Sequence, residues 1–75
     1  MKLRHIGSNV TEVETKNGNV VLFSYNTPVA ACLSDGRGFV RTSRKWSKTT
    51  SKHISQWLNG AKAVEVGQEM INGLV

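Results

Sequence analysis

Asn17-Gly18 narrows the choice of fold more than any other feature of the chain. The dipeptide favours φ > 0 at both central positions of a turn, the type I′ geometry of a two-residue hairpin. Both of its flanks suit strands. Val10-Thr11-Glu12-Val13-Glu14-Thr15 lies before it and Val20-Val21-Leu22-Phe23-Ser24-Tyr25 after it, each rich in β-branched or aromatic residues. A two-residue loop sets Val13 opposite Leu22 and Thr15 opposite Val20, which gives the hairpin one apolar face. The second flank is apolar on both faces, the mark of a strand inside a sheet rather than at its edge.

Punctuation continues downstream. Asn26-Thr27-Pro28 breaks the second strand, and Pro28, which has no N–H to give a ladder, belongs at a strand start or a bulge. Residues 29–33 then read as a short buried strand. Ser34-Asp35-Gly36-Arg37-Gly38 is a turn with an Asp able to close an Asx-turn, and residues 39–42 return. Residues 10–42 therefore read as a four-stranded meander. The period then changes: Ile54, Trp57 and Leu58 stand at i, i+3 and i+4, one face of a helix. Thr49, Thr50 and Ser51 are the candidate N-caps, and Gly60 stands at the C′ position after Asn59. This predicts a helix over residues 50–59, anchored on the sheet by Trp57. Residues 61–66 suit one more short strand. Residues 68–72 suit a last helical turn docked by Met70, Ile71 and Leu74.

With 75 residues the chain has room for one domain. A chain of this size buries roughly 60% of its unfolded surface, so the core is small. The expectation is a single α+β domain over residues 1–75. It is a small antiparallel sheet of about four strands, with one helix from the C-terminal half packed on it.

Several classes of function are excluded on counting. One cysteine forms no intramolecular disulfide framework. Cys32, His5 and His53 are too few to build a four-ligand Cys/His metal site. No cofactor motif is present. The apolar runs at residues 20–23 and 29–33 fall far short of the roughly 20 residues that span a bilayer. The N-terminal MKLRHIGSNV lacks the apolar stretch of a signal peptide. These features lead to the expectation of a cytoplasmic protein with a reduced Cys32.

The charge is unevenly placed. The chain holds 10 Lys+Arg against 5 Asp+Glu, a formal charge of +5. Residues 36–64 contain no acid, yet hold Arg37, Arg41, Arg44, Lys45, Lys48, Lys52 and Lys62 with His53 and Trp46. Basic groups alternate there with Ser and Thr hydroxyls. That mixture suits phosphate, because cations attract it while hydroxyls and N–H groups fix its position. The start of the helix would add free N–H groups and the positive end of its dipole, and Trp46 could stack on an exposed base. The same run also suits a plain solvated face.

Three alternatives weigh less. Residues 50–58 have the look of a recognition helix, but strands precede them where a helix-turn-helix needs a helix. Cys32 and His53, with Asp35 to orient the histidine, have the side-chain types of a nucleophile and base. Cys32 lies in an apolar run, however, where a small buried thiol is the default. Gly36-Arg37-Gly38 is a turn with no helix directly behind it, so a phosphate-cradling loop lacks its context. Glu12 and Glu14 share one face of a strand and read as solvent-facing charges.

Phe23-Ser24-Tyr25-Asn26-Thr27-Pro28-Val29-Ala30 is followed by Lys45-Trp46-Ser47-Lys48-Thr49-Thr50-Ser51-Lys52-His53-Ile54 and by Trp57-Leu58. These blocks resemble those of a group of small proteins of tailed bacteriophages, in which an S-Y-x-T-P-V-A block precedes a W-S-x-T-T-S-K-H-I block. The match spans residues 20–58, and the group carries no agreed activity to transfer. Size and layout are also similar to a small phage protein that binds host RNA polymerase and alters termination. The resemblance implies a phage protein acting in the bacterial cytoplasm by docking on a host machine.

The sequence thus leads to the expectation of a non-catalytic binding protein that modulates a host machine, in the first place the transcription machinery. The alternative is direct DNA or RNA binding by the same face. The binding residues expected are Arg37, Arg41, Arg44, Lys45, Trp46, Lys48, Lys52 and His53, with no catalytic residue, metal or cofactor. An unpaired edge at residues 10–15 leaves room for a homodimer.

Overall fold

The computed structural model describes residues 2–75. Their order is β1 (Lys2–Gly7), β2 (Val10–Glu14), β3 (Val20–Ser24), β4 (Thr27–Leu33), β5 (Gly38–Thr42), α1 (Lys48–Leu58), β6 (Ala63–Val66) and α2 (Gln68–Asn72). The six strands form one sheet in sequential order. The first four junctions are antiparallel, and β5 and β6 run parallel with α1 as their crossover. The class is α+β, as expected, but the sheet has six strands rather than about four, is not wholly antiparallel, and carries two helices.

The hairpin at Asn17-Gly18 forms in a different register. Gly18 N donates to Thr15 O at 3.0 Å and Thr15 N to Asn19 O at 2.8 Å. Gly18 has φ 83°, while Asn17 is not among the positive-φ residues. The loop is therefore the three-residue kind, a tight turn closed by a left-handed glycine, and not type I′. Val13 consequently pairs with Val21, Glu12 with Leu22 and Glu14 with Val20. This slip of one residue moves Glu12 onto the face that α1 covers.

β1 is the strand that the sequence pattern hid. All six of its residues are exposed, so no alternation of buried and exposed positions marks it. It pairs with β2, which overturns the expected free edge at residues 10–15. The edges of the sheet are β1 and β6. Pro28 sits opposite Phe23 where the β3–β4 register shifts, the bulge its missing N–H demands.

Each face of the sheet carries one core. On one side Ile54 and Leu58 of α1 pack on Leu22, Val29 and Ala30, flanked by Phe39 and Trp57. On the other, Ile71 of α2 packs on Val21, Ala31, Leu33 and Val40, flanked by Phe23, Met70 and Leu74. β3 and β4 are buried from both sides, which explains their unbroken apolar runs. Trp57 anchors α1 as expected, edge-on to Phe39 with centroids 5.6 Å apart.

α1 begins earlier than its apolar spacing implied. Ser47, not Thr49, Thr50 or Ser51, is the N-cap, and its Oγ accepts from Thr50 N at 3.2 Å. Thr50, Ile54 and Leu58 form the buried stripe at i, i+4 and i+8. Among the described residues, no helix is long and apolar enough to cross a membrane.

Candidate functional site

The chain leaves β5 at Thr42 and enters α1 at Lys48, so residues 43–47 wrap the corner between the sheet end and the helix start. An open concavity of about 480 Å³ lies there. Arg41, Arg44, Lys45, Trp46 and Lys48 line it, with Ser43, Ser47, Thr50, Ser51 and one acid, Glu65. Five of the eight expected binding residues are thus brought together.

The other three are not. Arg37 sits in the β4–β5 turn at the opposite end of β5, where its Nε bonds Asp35 Oδ2 at 2.7 Å. Its backbone N–H also donates to Asp35 Oδ1 at 3.1 Å. That backbone bond is the leading cause holding the Asp35 carboxyl below its ordinary value of 3.8. Lys52 is exposed on α1 and does not line the concavity. His53 turns to a separate cleft of about 320 Å³ lined by Ile6, Gly7, Ser8, Val10, Gln56 and Trp57.

Within the concavity the cations lack carboxylate partners. Among the described residues the ion pairs are Arg4–Glu12 and Arg37–Asp35. Arg41 and Glu65 are register partners on adjacent strands, yet no ion pair joins them. Arg41 Nε is buried with no hydrogen-bond partner. An unmade bond of this kind costs about 1–3 kcal/mol on a neutral group and more on a charged one. The Arg44 guanidinium lies 4.4 Å from the centre of the Trp46 ring, a cation–π contact. Trp46 Nε1 donates to Gln68 Oε1 at 3.2 Å, and Gln68 Nε2 donates to Pro28 O at 2.6 Å. Gln68 therefore fixes the indole to the sheet. Trp46 remains 39% exposed, and with Arg44 over one face, any base stack is confined to the other.

Of the hydroxyl groups beneath the concavity, the sequence marks Thr50 only as a candidate N-cap and does not mark Ser24. Ser24 Oγ bonds Thr50 Oγ1 at 3.1 Å and His53 Nδ1 at 2.8 Å. Ser24 comes from β3 and the other two from α1, so no local spacing announces the contact. The Cys32, His53 and Asp35 combination is not assembled. His53 is bonded to Ser24, Asp35 to Arg37, and Cys32 pairs with Val20 at the far end of β3 from Ser24. Among the described residues no group of His, Cys, Asp and Glu side chains is placed to hold a metal.

No curated protein and no solved structure matches the chain significantly. One family does match, over residues 1–73, and the chain belongs to it: DUF8033, a family of unknown function.

Proposed function

We propose that the protein is a small non-catalytic binding protein that takes the phosphodiester backbone of a nucleic acid into the concavity at the start of α1. The observation that carries this reading is the convergence of Arg41, Arg44, Lys45 and Lys48 on one concave site with no ion-paired carboxylate among them. Hydroxyl donors share the same lining, as phosphate recognition requires. The resemblance to phage proteins makes the bacterial cytoplasm the setting of this reading.

The second reading is docking on an acidic patch of a host protein, in the first place RNA polymerase. It is favoured by the half-exposed Trp46, an aromatic anchor amid the basic rim.

Fluorescence anisotropy with a labelled deoxythymidine oligonucleotide tests the first reading. Wild type is compared with a variant carrying Arg41→Gln, Arg44→Gln, Lys45→Gln and Lys48→Gln. The expected result is salt-dependent binding, with a log–log slope of about −0.7 per phosphate engaged on a single strand, lost in the variant. Equal binding by both proteins sinks the reading. A host protein captured from nuclease-treated lysate by wild type, and lost in the variant, moves the second reading to first place.

A further inference from the structure

Four side chains join the concavity to the His53 cleft through the core. Ser47 Oγ lies 3.3 Å from Thr50 Oγ1, Thr50 Oγ1 lies 3.1 Å from Ser24 Oγ, and Ser24 Oγ lies 2.8 Å from His53 Nδ1. Ser47 and Thr50 line the concavity, while His53 lines the other opening. Ser24, between them, is 2% exposed. We propose that this chain is a proton-sensing relay, through which the charge on His53 decides whether Ser47 offers its hydroxyl hydrogen to the concavity.

Each hydroxyl has one hydrogen to donate. In the structure Ser47 donates to Thr50. The matching order is Thr50 to Ser24 and Ser24 to a bare His53 Nδ1, with the Ser47 hydrogen held inside. An imidazolium carries hydrogen on both nitrogens and accepts nothing. Nδ1 must then donate to Ser24, and Ser24 turns its hydrogen to Thr50. Thr50's own hydrogen has one partner left in the chain, Ser47 Oγ. The Ser47 hydrogen is displaced outward, next to the start of α1. By linkage, an anion that binds that hydrogen favours the charged form of His53, and the charged form favours the anion.

Aromatic and charged groups face His53 from the neighbouring elements. From the turn between β3 and β4 the Tyr25 ring stands 6.1 Å away, centroid to centroid. On β2 the Glu12 carboxylate is engaged by Trp57 Nε1 and by Arg4 of β1. Lys52 precedes His53 in α1. The other histidine, His5, bonds Thr11 between β1 and β2 and takes no part in the chain.

The relay itself is independent of ligand, whereas its effect on binding rests on the phosphate reading above. NMR separates the two. The Thr50 amide, which donates to Ser47 Oγ, is followed from about pH 5 to pH 8, where histidine changes charge. It is expected to titrate in step with the His53 ring in wild type. It is expected to stop doing so in Ser24→Ala and in Thr50→Val, which cut the chain at different atoms, and to persist in His5→Gln. An amide that follows His53 equally in both cut variants reports a field through space and overturns the relay, as does an unresponsive wild type. In a second arm the oligonucleotide, whose phosphodiesters keep their charge across this range, is titrated at both ends. Wild type is expected to bind on the order of fivefold tighter at the acid end, at the low end of site-to-site coupling. In Ser24→Ala the ratio falls toward one. Binding at neither pH, with the Thr50 response intact, keeps the relay and removes the phosphate reading. Binding with the same pH ratio in wild type and Ser24→Ala keeps the phosphate reading and overturns the relay's control of binding.

Discussion

Trp57 Nε1 donates to Glu12 Oε1 at 2.6 Å, across 45 positions of sequence. The bond ties α1 to β2, and the site is partly buried. A carboxylate that reads as a solvent-facing charge is therefore a tertiary contact. A hydrogen bond to a charged group contributes about 1.5–3 kcal/mol. Glu12→Ala is expected to lower stability by that order, and Glu12→Gln, which keeps an acceptor, by less. Urea denaturation followed by tryptophan fluorescence measures both; equal stability of Glu12→Ala and wild type would refute the contact's role.

Gly18 closes the β2–β3 loop at φ 83°, and a Cβ there would meet Ser34 Cβ at 3.3 Å. Left-handed backbone costs a residue with a side chain roughly 1–2 kcal/mol. Gly18→Ala is expected to lose at least that. Gly36, also at positive φ but with open space around it, serves as the control for strain without the contact. Thermal melts of the two alanine variants should rank Gly18→Ala as the less stable.

Ile71 is the one buried residue of α2 and is fully buried. The helix has five residues and cannot persist without packing. Ile71→Ala is expected to cost about 2–5 kcal/mol, the range for large-to-alanine changes in a core. It should also release Gln68 and, with it, Trp46. Tryptophan fluorescence of the native state should then change before unfolding begins.

Asp35 titrates below 3.8, first because the Arg37 backbone N–H favours its charged form, then through the Arg37 side chain. A lowered folded pKa gives stability that is present above the unfolded value and lost as pH falls through the folded one. Arg37→Ala keeps the backbone donor, so the Asp35 midpoint is expected to rise only part of the way. Carboxyl-carbon NMR across the acid range reads this directly. A full return to the ordinary value would assign the shift to the guanidinium instead.

Arg37 precedes the start of β5 and Arg41 lies near its far end. Arg37→Gln is therefore expected to leave oligonucleotide affinity and its salt slope unchanged. Arg41→Gln should reduce the slope by about 0.7, one phosphate's share on a single strand. Equal effects would mean that net charge rather than the concavity governs binding.

What could be read in the sequence was local. The four central strands, the long helix with its Trp57 anchor, the bulge at Pro28 and the docking of Ile71 follow from spacing, β-branching and missing donors. Those signals act between neighbours along the chain. The basic rim was legible for the same reason, because residues 41–48 form one strand end, one loop and one helix start, and their convergence needs no distant partner.

Tertiary structure decided the rest. β1 is exposed along its whole length, so its place came from the ladder with β2 and not from any apolar pattern. The hairpin register rested on whether Asn17 and Gly18 both adopt left-handed backbone or Gly18 alone does, and the faces that α1 and α2 bury settled it. Arg37, Lys52 and His53 stand near the rim residues in sequence, but strand length and helix rotation carry them to other surfaces. The Ser24–Thr50–His53 contact joins β3 to α1 over 26 and 29 positions. Polar side chains so far apart meet only when the sheet and helix pack, since the cost of burying their hydroxyls is repaid by partners that the folded core alone supplies.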